Sequence, residues 1–481
     1  MRNSKLRFIL GWVLKIEAAC MLFPVLTGFY YQEDAAYVYL GVAIVTFILG
    51  YILTLHKPKT RSFRAKEGFL VVALSWIVLS AFGMLPFILT GEIPQVHDAL
   101  FEIVSGFTTT GASIVPNPDV LSKATILWRS FSHWIGGMGV LVFVLTILPI
   151  ESNQQGNTIH VMRAESPGPS VGKLVPRIKD TARILYGIYF VMTVVLIVVL
   201  IIAGMPIYDA ITMGLGTAGT GGFSVSSAGA GIYSPQIQVI LTIGMIAFGI
   251  NFNIYYLLLL RRFKSACKSE ELRAYLGIII VAIVLISLNI YGQVGNLWDT
   301  ILQSSFQVGS IITTTGYTTV DYNQWPMFSQ LILLGLMLVG AMAGSTGGGF
   351  KIQRLVIICK NALNQLRNFI SPRRVQVVQM DGKLIENDVV ASTKSYLVLY
   401  IIIMGISVLI VSLDNFDLMS TFSAVNATFN NIGPGMNMAG PVESFAGFSM
   451  LSKLTMTFDM LAGRLEIIPM LLLFSPTTWR Q

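Results

Sequence analysis

The sequence predicts an all-α polytopic membrane protein: four repeats of spanning helix, pore helix and spanning helix (M1-P-M2) around one pore, preceded by an extra pair of transmembrane helices. Three observations predict it. Of 481 residues, 54% are hydrophobic and only 12% charged, and the mean hydropathy is +0.70, well outside the range of soluble domains. Apolar runs near the ~20 residues that a bilayer requires alternate with clusters of Lys and Arg. A short acid-headed segment running into a glycine-centred loop recurs four times, at intervals of roughly a hundred residues.

Residues 1–60 are read as the helix pair, spanning at 8–30 and 35–55 around the acidic turn Gln32-Glu33-Asp34. The start, Met1-Arg2-Asn3-Ser4-Lys5-Leu6-Arg7, superficially resembles a signal peptide. Lys15 and Glu17 interrupt its apolar run and no cleavage or lipidation box precedes Cys20, so a retained first helix is expected. Lys15 and Glu17 cannot share a helical face, and a structural polar contact is expected of each.

The first repeat, 61–155, follows the basic loop of Lys57, Lys59, Arg61, Arg64 and Lys66, which places that loop and the N-terminus in the cytoplasm. Gly68 to Thr90 spans outward. Asp98 is placed at the N-cap of a short helix, Thr108-Thr109-Thr110-Gly111-Ala112 follows, and 124–150 returns with Gly136, Gly137 and Gly139 at mid-depth. The second repeat, 156–265, has the basic residues Arg163, Lys173, Arg177 and Lys179 in its inner loop. It spans at 184–205, caps a short helix with Asp209, reaches Gly219-Thr220-Gly221-Gly222-Phe223, and returns over 235–260, broken at Gly249, to Arg261, Arg262, Lys264 and Lys268.

The third repeat, 266–375, spans at 274–298, caps with Asp299 and reaches Thr313-Thr314-Thr315-Gly316-Tyr317. Its return from Met327 is interrupted by Gly344-Ser345-Thr346-Gly347-Gly348-Gly349 before Lys351, and Arg354, Lys360, Arg367, Arg373 and Arg374 continue the inner basic pattern. The fourth repeat, 376–481, spans at 395–413, caps with Asp414 or Asp417 and reaches Asn430-Asn431-Ile432-Gly433-Pro434. A last helix over 451–473 carries Asp459, Gly463, Arg464 and Glu466, and no soluble domain is expected after it.

The short helices are too short to span, so they must re-enter. Re-entrant backbone is tolerated in a bilayer only where protein or a watery cavity surrounds it. Four such loops in one chain can meet on one axis, with the helix C-termini aiming partial negative charge at a cation. The loops carry no Asp or Glu, which favours a ring of carbonyls selecting a monovalent ion over a carboxylate ring for a divalent one. The candidate filter residues are Thr109, Thr110, Gly111 and Ala112; Thr220, Gly221, Gly222 and Phe223; Thr314, Thr315, Gly316 and Tyr317; and Asn431, Ile432, Gly433 and Pro434.

Consecutive glycines oppose a helix by about 1 kcal/mol each, so 344–349 should be an unwound loop within the membrane. A phosphate-binding loop is discounted, because Phe350 separates Gly349 from Lys351 and no Ser or Thr follows. Arg464 needs acceptors in the membrane: either carbonyls of the glycine run, or Asp459 or Glu466 of its own helix. Lys351 reads equally as a gate residue or as an anchor at the membrane boundary. His133, with Arg129 nearby, reads as a packed structural residue, and no catalytic constellation suggests an enzyme. The net charge of +8 reads as inner-loop charge, not as a nucleic-acid surface, and the widely spaced Cys20, Cys267 and Cys359 support neither disulfides nor a zinc site.

Together the four loops and the 344–351 string resemble the Trk/Ktr/HKT superfamily of potassium transporters, and the extra helix pair makes the chain most similar to its TrkH-type branch. The resemblance covers nearly the whole chain, and four loops in order are a specific sign where one would be weak. It makes the repeats potassium-channel-like and implies K⁺ uptake across a bacterial inner membrane, with K⁺ as transported ion and no organic cofactor. It also implies a homodimer with one pore per protomer, and a cytosolic ring of TrkA-type nucleotide-binding (NAD- or ATP-sensing) regulatory subunits. The filter glycines fall on Gly111, Gly222, Gly316 and Gly433, and a gate on Gly344, Ser345, Thr346, Gly347, Gly348, Gly349, Lys351 and Arg464. The second and fourth loops depart from the Thr-rich pattern, so their coordination should be less regular. The alternative is a Na⁺- or H⁺-coupled secondary transporter of a small solute.

Overall fold

The computed structural model describes residues 2–56, 65–139, 178–371 and 377–476. Among them the regular secondary structure is helical apart from one hairpin, Gln379–Met380 paired antiparallel with Lys383–Leu384 across an Asp381-Gly382 turn. Among the described residues, six helical stretches are long and apolar enough to cross a membrane: Ser4–Tyr30, Ala35–Thr54, Glu67–Leu89, Ala182–Ile202, Glu270–Val294 and Asn387–Asp414. Their outer flanks expose Ile202, Leu288 and Leu409, as lipid-facing sides do.

The first two spans touch through glycine. A Cβ on Gly11 would lie 2.8 Å from the Gly50 carbonyl oxygen and one on Gly50 2.8 Å from that of Gly11, the close approach that small residues give membrane helices. Lys15 lies over the rings of Trp12 and Tyr51, 5.0 and 5.2 Å from their centroids. Glu17 departs from expectation: it is buried, and neither carboxylate oxygen has a hydrogen-bond partner among the described residues. Cys20, Cys267 and Cys359 are free.

Each of the last four spans leads into a short helix: Val96–Phe107, Ile207–Gly219, Leu297–Ile312 and Leu418–Phe429. At 12 to 16 residues they are roughly 18 to 24 Å long, against the ~30 Å of a hydrocarbon core. Their last six residues are buried throughout, so the chain beyond them turns inside protein and not in lipid.

Asp417 is the N-cap of the fourth short helix and accepts the Ser420 N–H. The other three capping assignments are corrected, since the caps are Gln95, Pro206 and Asn296. Asp98, Asp209 and Asp299 stand inside the first turn, where a carboxylate still meets the positive end of the helix dipole, and each has a polar partner: Lys453 Nζ (2.7 Å), the Tyr233 hydroxyl (3.0 Å) and Asn296 Nδ2 (2.9 Å).

The return segments are broken. Pro235–Phe248 and Phe252–Leu259 meet at 92°. Met327–Val339 ends at Gly340, and helix resumes only at Ile352–Ile370. The uninterrupted last helix expected over 451–473 is two, Met450–Arg464 and Ile468–Phe474, separated where Glu466 and Ile467 take positive φ. In the first return, Lys123–Gly137 is helical, and the rest of the expected span lies outside the described residues, as do Lys57, Lys59, Arg61, Arg64, Arg163, Lys173, Arg177, Arg373 and Arg374.

Candidate functional site

All four short helices end in the same way. The N–H groups of Thr109 and Thr110 reach the carbonyls of Gly106 (3.1 Å) and Ser105 (2.8 Å), and those of Thr220 and Gly221 reach Thr217 (3.1 Å) and Gly216 (2.9 Å). Thr314 and Thr315 reach Ile311 (3.1 Å) and Ser310 (2.9 Å), while Asn431 and Ile432 reach Thr428 (3.2 Å) and Ala427 (2.8 Å). These paired bonds are the Schellman closure, which satisfies carbonyls that a helix end leaves open and requires one left-handed residue. That residue is Thr109, Thr220, Thr314 or Asn431, at φ of 58°, 55°, 58° and 56°. For a β-branched threonine this backbone costs about 1–2 kcal/mol.

Two positions later comes the glycine, again left-handed, at φ of 80°, 80°, 85° and 100° for Gly111, Gly222, Gly316 and Gly433. Alternating left- and right-handed residues let successive carbonyls face one way.

The glycines form a closed ring in chain order. A Cβ on Gly111 would collide with the carbonyl oxygen of Gly221, one on Gly222 with that of Thr315, and one on Gly316 with that of Ile432. One on Gly433 would lie 2.8 Å from that of Thr110, joining the last loop to the first. A cavity of about 100 Å³ lies over the ring and touches all four glycines.

Side chains brace neighbouring loops. His133 Nδ1 bonds the Gly106 carbonyl (2.8 Å) and Nε2 accepts the Phe223 N–H (3.3 Å), so its neutral ring ties the end of the first short helix to the second loop with both nitrogens engaged. The Tyr317 hydroxyl donates to the Met213 carbonyl (3.2 Å) and the Tyr322 hydroxyl to that of Gly435 (2.8 Å). Asn431 Nδ2 donates to Thr110 Oγ1 (3.0 Å). Ala112 is buried at the first loop, and the Pro434 ring packs on Gly316.

Residues 340–351 cross beside the ring outside any helix. A Cβ on Gly347 would lie 2.8 Å from the Thr313 carbonyl oxygen and one on Gly348 2.5 Å from that of Asn430, so the crossing backbone rests against the third and fourth loops. The Gly348 N–H donates to Thr314 Oγ1 (2.6 Å), Thr346 Oγ1 to the Phe248 carbonyl (3.2 Å), and Ser345 Oγ to that of Met342 (2.7 Å). Arg464 donates from Nη1 to the Thr346 carbonyl (2.8 Å) and from Nη2 to those of Gly136 and Gly137 (2.6 Å each). Of the acceptors that the sequence left open to it, the carbonyls win. Asp459 takes the Ser407 hydroxyl, and Glu466 pairs with Arg354. Lys351 is buried and donates to the Gly347 carbonyl, at odds with an exposed boundary anchor.

Three features escaped the sequence. Arg354, grouped with the inner basic residues, is buried beneath Tyr396, 3.8 Å from the ring centroid, and pairs with Glu466. Glu271 is buried and accepts the Ala343 N–H (2.7 Å) at the start of the crossing loop. Glu102 and Arg129 form an ion pair behind the first loop. A charge inside an apolar run was the available signal for Glu102 and Arg129, but nothing in the sequence names its partner.

The fold and the ring define a class: multi-span helical membrane proteins in which buried, glycine-centred loops of one chain meet in a closed ring. Within that class the chain belongs to the TrkH family of cation transport proteins, whose model matches residues 38–480, and it is therefore a transport protein and not an enzyme. It is 34% identical over 483 residues to the Trk system potassium uptake protein TrkH of Salmonella typhimurium, covering 98% of each chain. It is 30% identical over 479 residues to the Trk system potassium uptake protein TrkG of Escherichia coli, covering 98% of this chain and 97% of the other. The crystal structure of the potassium transporter TrkH from Vibrio parahaemolyticus matches the whole of both chains with a TM-score of 0.88 at 31% identity.

Proposed function

We propose that the chain is the potassium-translocating membrane subunit of a Trk system, taking K⁺ up across a bacterial inner membrane. The ring of Gly111, Gly222, Gly316 and Gly433 is its selectivity filter, in which loop carbonyls replace the water of a dehydrated ion. The single observation that carries this reading is the closed cycle of contacts, each glycine against the carbonyl that precedes the next. The four repeats 61–155, 156–265, 266–375 and 376–481 then each supply a quarter of one pore. The basic inner clusters support an N-terminus in the cytoplasm.

The 344–349 run, held by Lys351 and Arg464, is the gate on the inner side of the filter, where the Arg464 charge also opposes a passing cation. A homodimer and a cytosolic TrkA-type ring that senses NAD or ATP complete the assembly, as the family likeness implies. Among the described residues nothing favours the coupled-transporter reading specifically: His133, beside the ring, has both ring nitrogens engaged by backbone groups.

The test is rescue of a K⁺-uptake-deficient bacterium at limiting K⁺, with and without the cytosolic partner, together with Rb⁺ flux into liposomes. Rescue and a flux that follows the electrochemical gradient are expected. Flux that requires a Na⁺ or H⁺ gradient in fixed stoichiometry would replace the channel-like reading with the coupled one.

A further inference from the structure

The first quarter of the ring is built on a buried ion pair. Glu102 on the first short helix and Arg129 on the first return helix are 0% and 2% exposed. Arg129 Nε lies 2.8 Å and Nη2 2.7 Å from Glu102 Oε1. At the same distance before the loop glycine, the other three short helices carry Met213, Gln307 and Ala424. Burying two charges is expensive, and an apolar side chain such as Met213 fills that place without the desolvation.

The remaining bonds of the pair all go to the chain just beyond Gly111-Ala112. Glu102 Oε2 accepts the Ile114 N–H (2.9 Å), and Oε1 accepts the Ser113 hydroxyl (2.9 Å). Arg129 Nη2 donates to Ser113 Oγ (3.0 Å). The guanidinium carbon lies 4.1 Å from the centroid of Phe223, the residue after Gly222, so the pair also grips the second loop. Arg129 lines the cavity over the ring, and its Nη1 is buried with no hydrogen-bond partner among the described residues. Gln307 makes a weaker form of the same brace, donating from Nε2 to Thr319 Oγ1 (3.2 Å).

We propose that Glu102 and Arg129 are a positioning pair for ion selection: they hold the backbone after Gly111 and the ring of Phe223 so that the first and second loops keep their carbonyls at K⁺ spacing. The proposal rests on reading the ring as the filter. Glu102→Gln is nearly isosteric, yet its amide must set a donor against either the Ile114 N–H or the guanidinium. Arg129→Lys keeps the charge and loses the fork that reaches carboxylate, hydroxyl and ring together. Glu102→Met with Arg129→Met removes both charges and imitates the second quarter.

The experiment is Rb⁺ uptake by reconstituted protein, with K⁺ and Na⁺ as competitors and a melting curve for each variant. Glu102→Gln should lower the K⁺ over Na⁺ preference by about tenfold and raise the Rb⁺ KM, with maximal flux per folded protein within about twofold. Arg129→Lys should lose about threefold in preference. The double variant should keep its melting temperature and not regain the wild-type preference. Unchanged preference in Glu102→Gln, or full recovery in the double variant, overturns the proposal. Should Glu102→Gln fail to fold, unchanged preference in Arg129→Lys overturns it equally. A wild-type protein with no preference at all defeats the filter reading itself, and this inference with it.

Discussion

Two stretches of glycine-rich, non-helical backbone lie side by side in this protein and are held in opposite ways. Each ring loop is closed by its own helix, through bonds that reach back three and five residues, and this closure repeats in all four quarters. The crossing loop has no such helix-end closure: its two ends are tied to each other, Ala341 N–H to the Gly348 carbonyl and Lys351 N–H to that of Val339. Its middle is also held by residues distant in the chain: Ala343 by Glu271, Gly344 by the Phe252 N–H, Thr346 by Arg464 and Gly348 by Thr314. A ring loop is thus fixed by the helix that leads into it, whereas the position of the crossing loop depends on several segments at once. A filter calls for the first arrangement and a gate for the second.

Substituting Gly316 tests the comparison most severely. Its φ of 85° and the Ile432 carbonyl behind it leave no place for a Cβ. Gly316→Ser should reduce K⁺ over Na⁺ discrimination in flux assays by at least about tenfold. Arg464→Ala addresses the other side by freeing three carbonyls. Basal Rb⁺ flux without a partner subunit should rise about fivefold, with ion preference within about twofold of wild type. If preference fell as far as flux rose, the two stretches would not be separable, and the comparison would be broken.

Glu271→Gln sharpens it further. The amide can still accept the Ala343 N–H but without charge, so basal flux should rise only about twofold. Thr109→Asn is a smaller change in the opposite direction. Thr109 holds left-handed backbone with its hydroxyl unpartnered among the described residues, whereas the fourth loop has Asn431 there, so the melting temperature should stay level or rise by up to a few degrees, for about 1 kcal/mol.

A comparably small effect belongs to Asp417, which caps the fourth short helix. The Ser420 hydroxyl holds its carboxyl below the usual range. A depressed folded value means that the stabilisation is present above the ordinary carboxylate pKa and disappears as pH falls through the lower one. Asp417→Ala should therefore melt a few degrees below wild type at neutral pH, for a cap worth about 1 kcal/mol, and the two curves should converge in strong acid.

Much of this was legible in the sequence because it is written in short range. The apolar runs, the four glycines and the break at 344–349 depend on neighbours within a turn or two, and hydropathy and backbone preference act over that range. The capping assignments failed at three helices for a related reason: an acid in the first turn satisfies the dipole whether it stands at the cap or inside it, and the sequence does not mark which. The unbroken helix expected over 451–473 failed because Pro469 cannot continue a helix from Arg464 and instead stands in the first turn of a new one, with Glu466 in the break paired to Arg354.

That the chain crosses a membrane, how many glycine-centred loops it carries and in what order can be read from the residues alone. Packing is what brings each glycine against the carbonyl of the next loop, gives Arg464 the Thr346, Gly136 and Gly137 carbonyls in place of Asp459 or Glu466, and sets Glu102 beside Arg129. The reason is physical. A buried charge or an open carbonyl must be satisfied somewhere, and residues far apart in the chain become candidates only when packing brings them within reach.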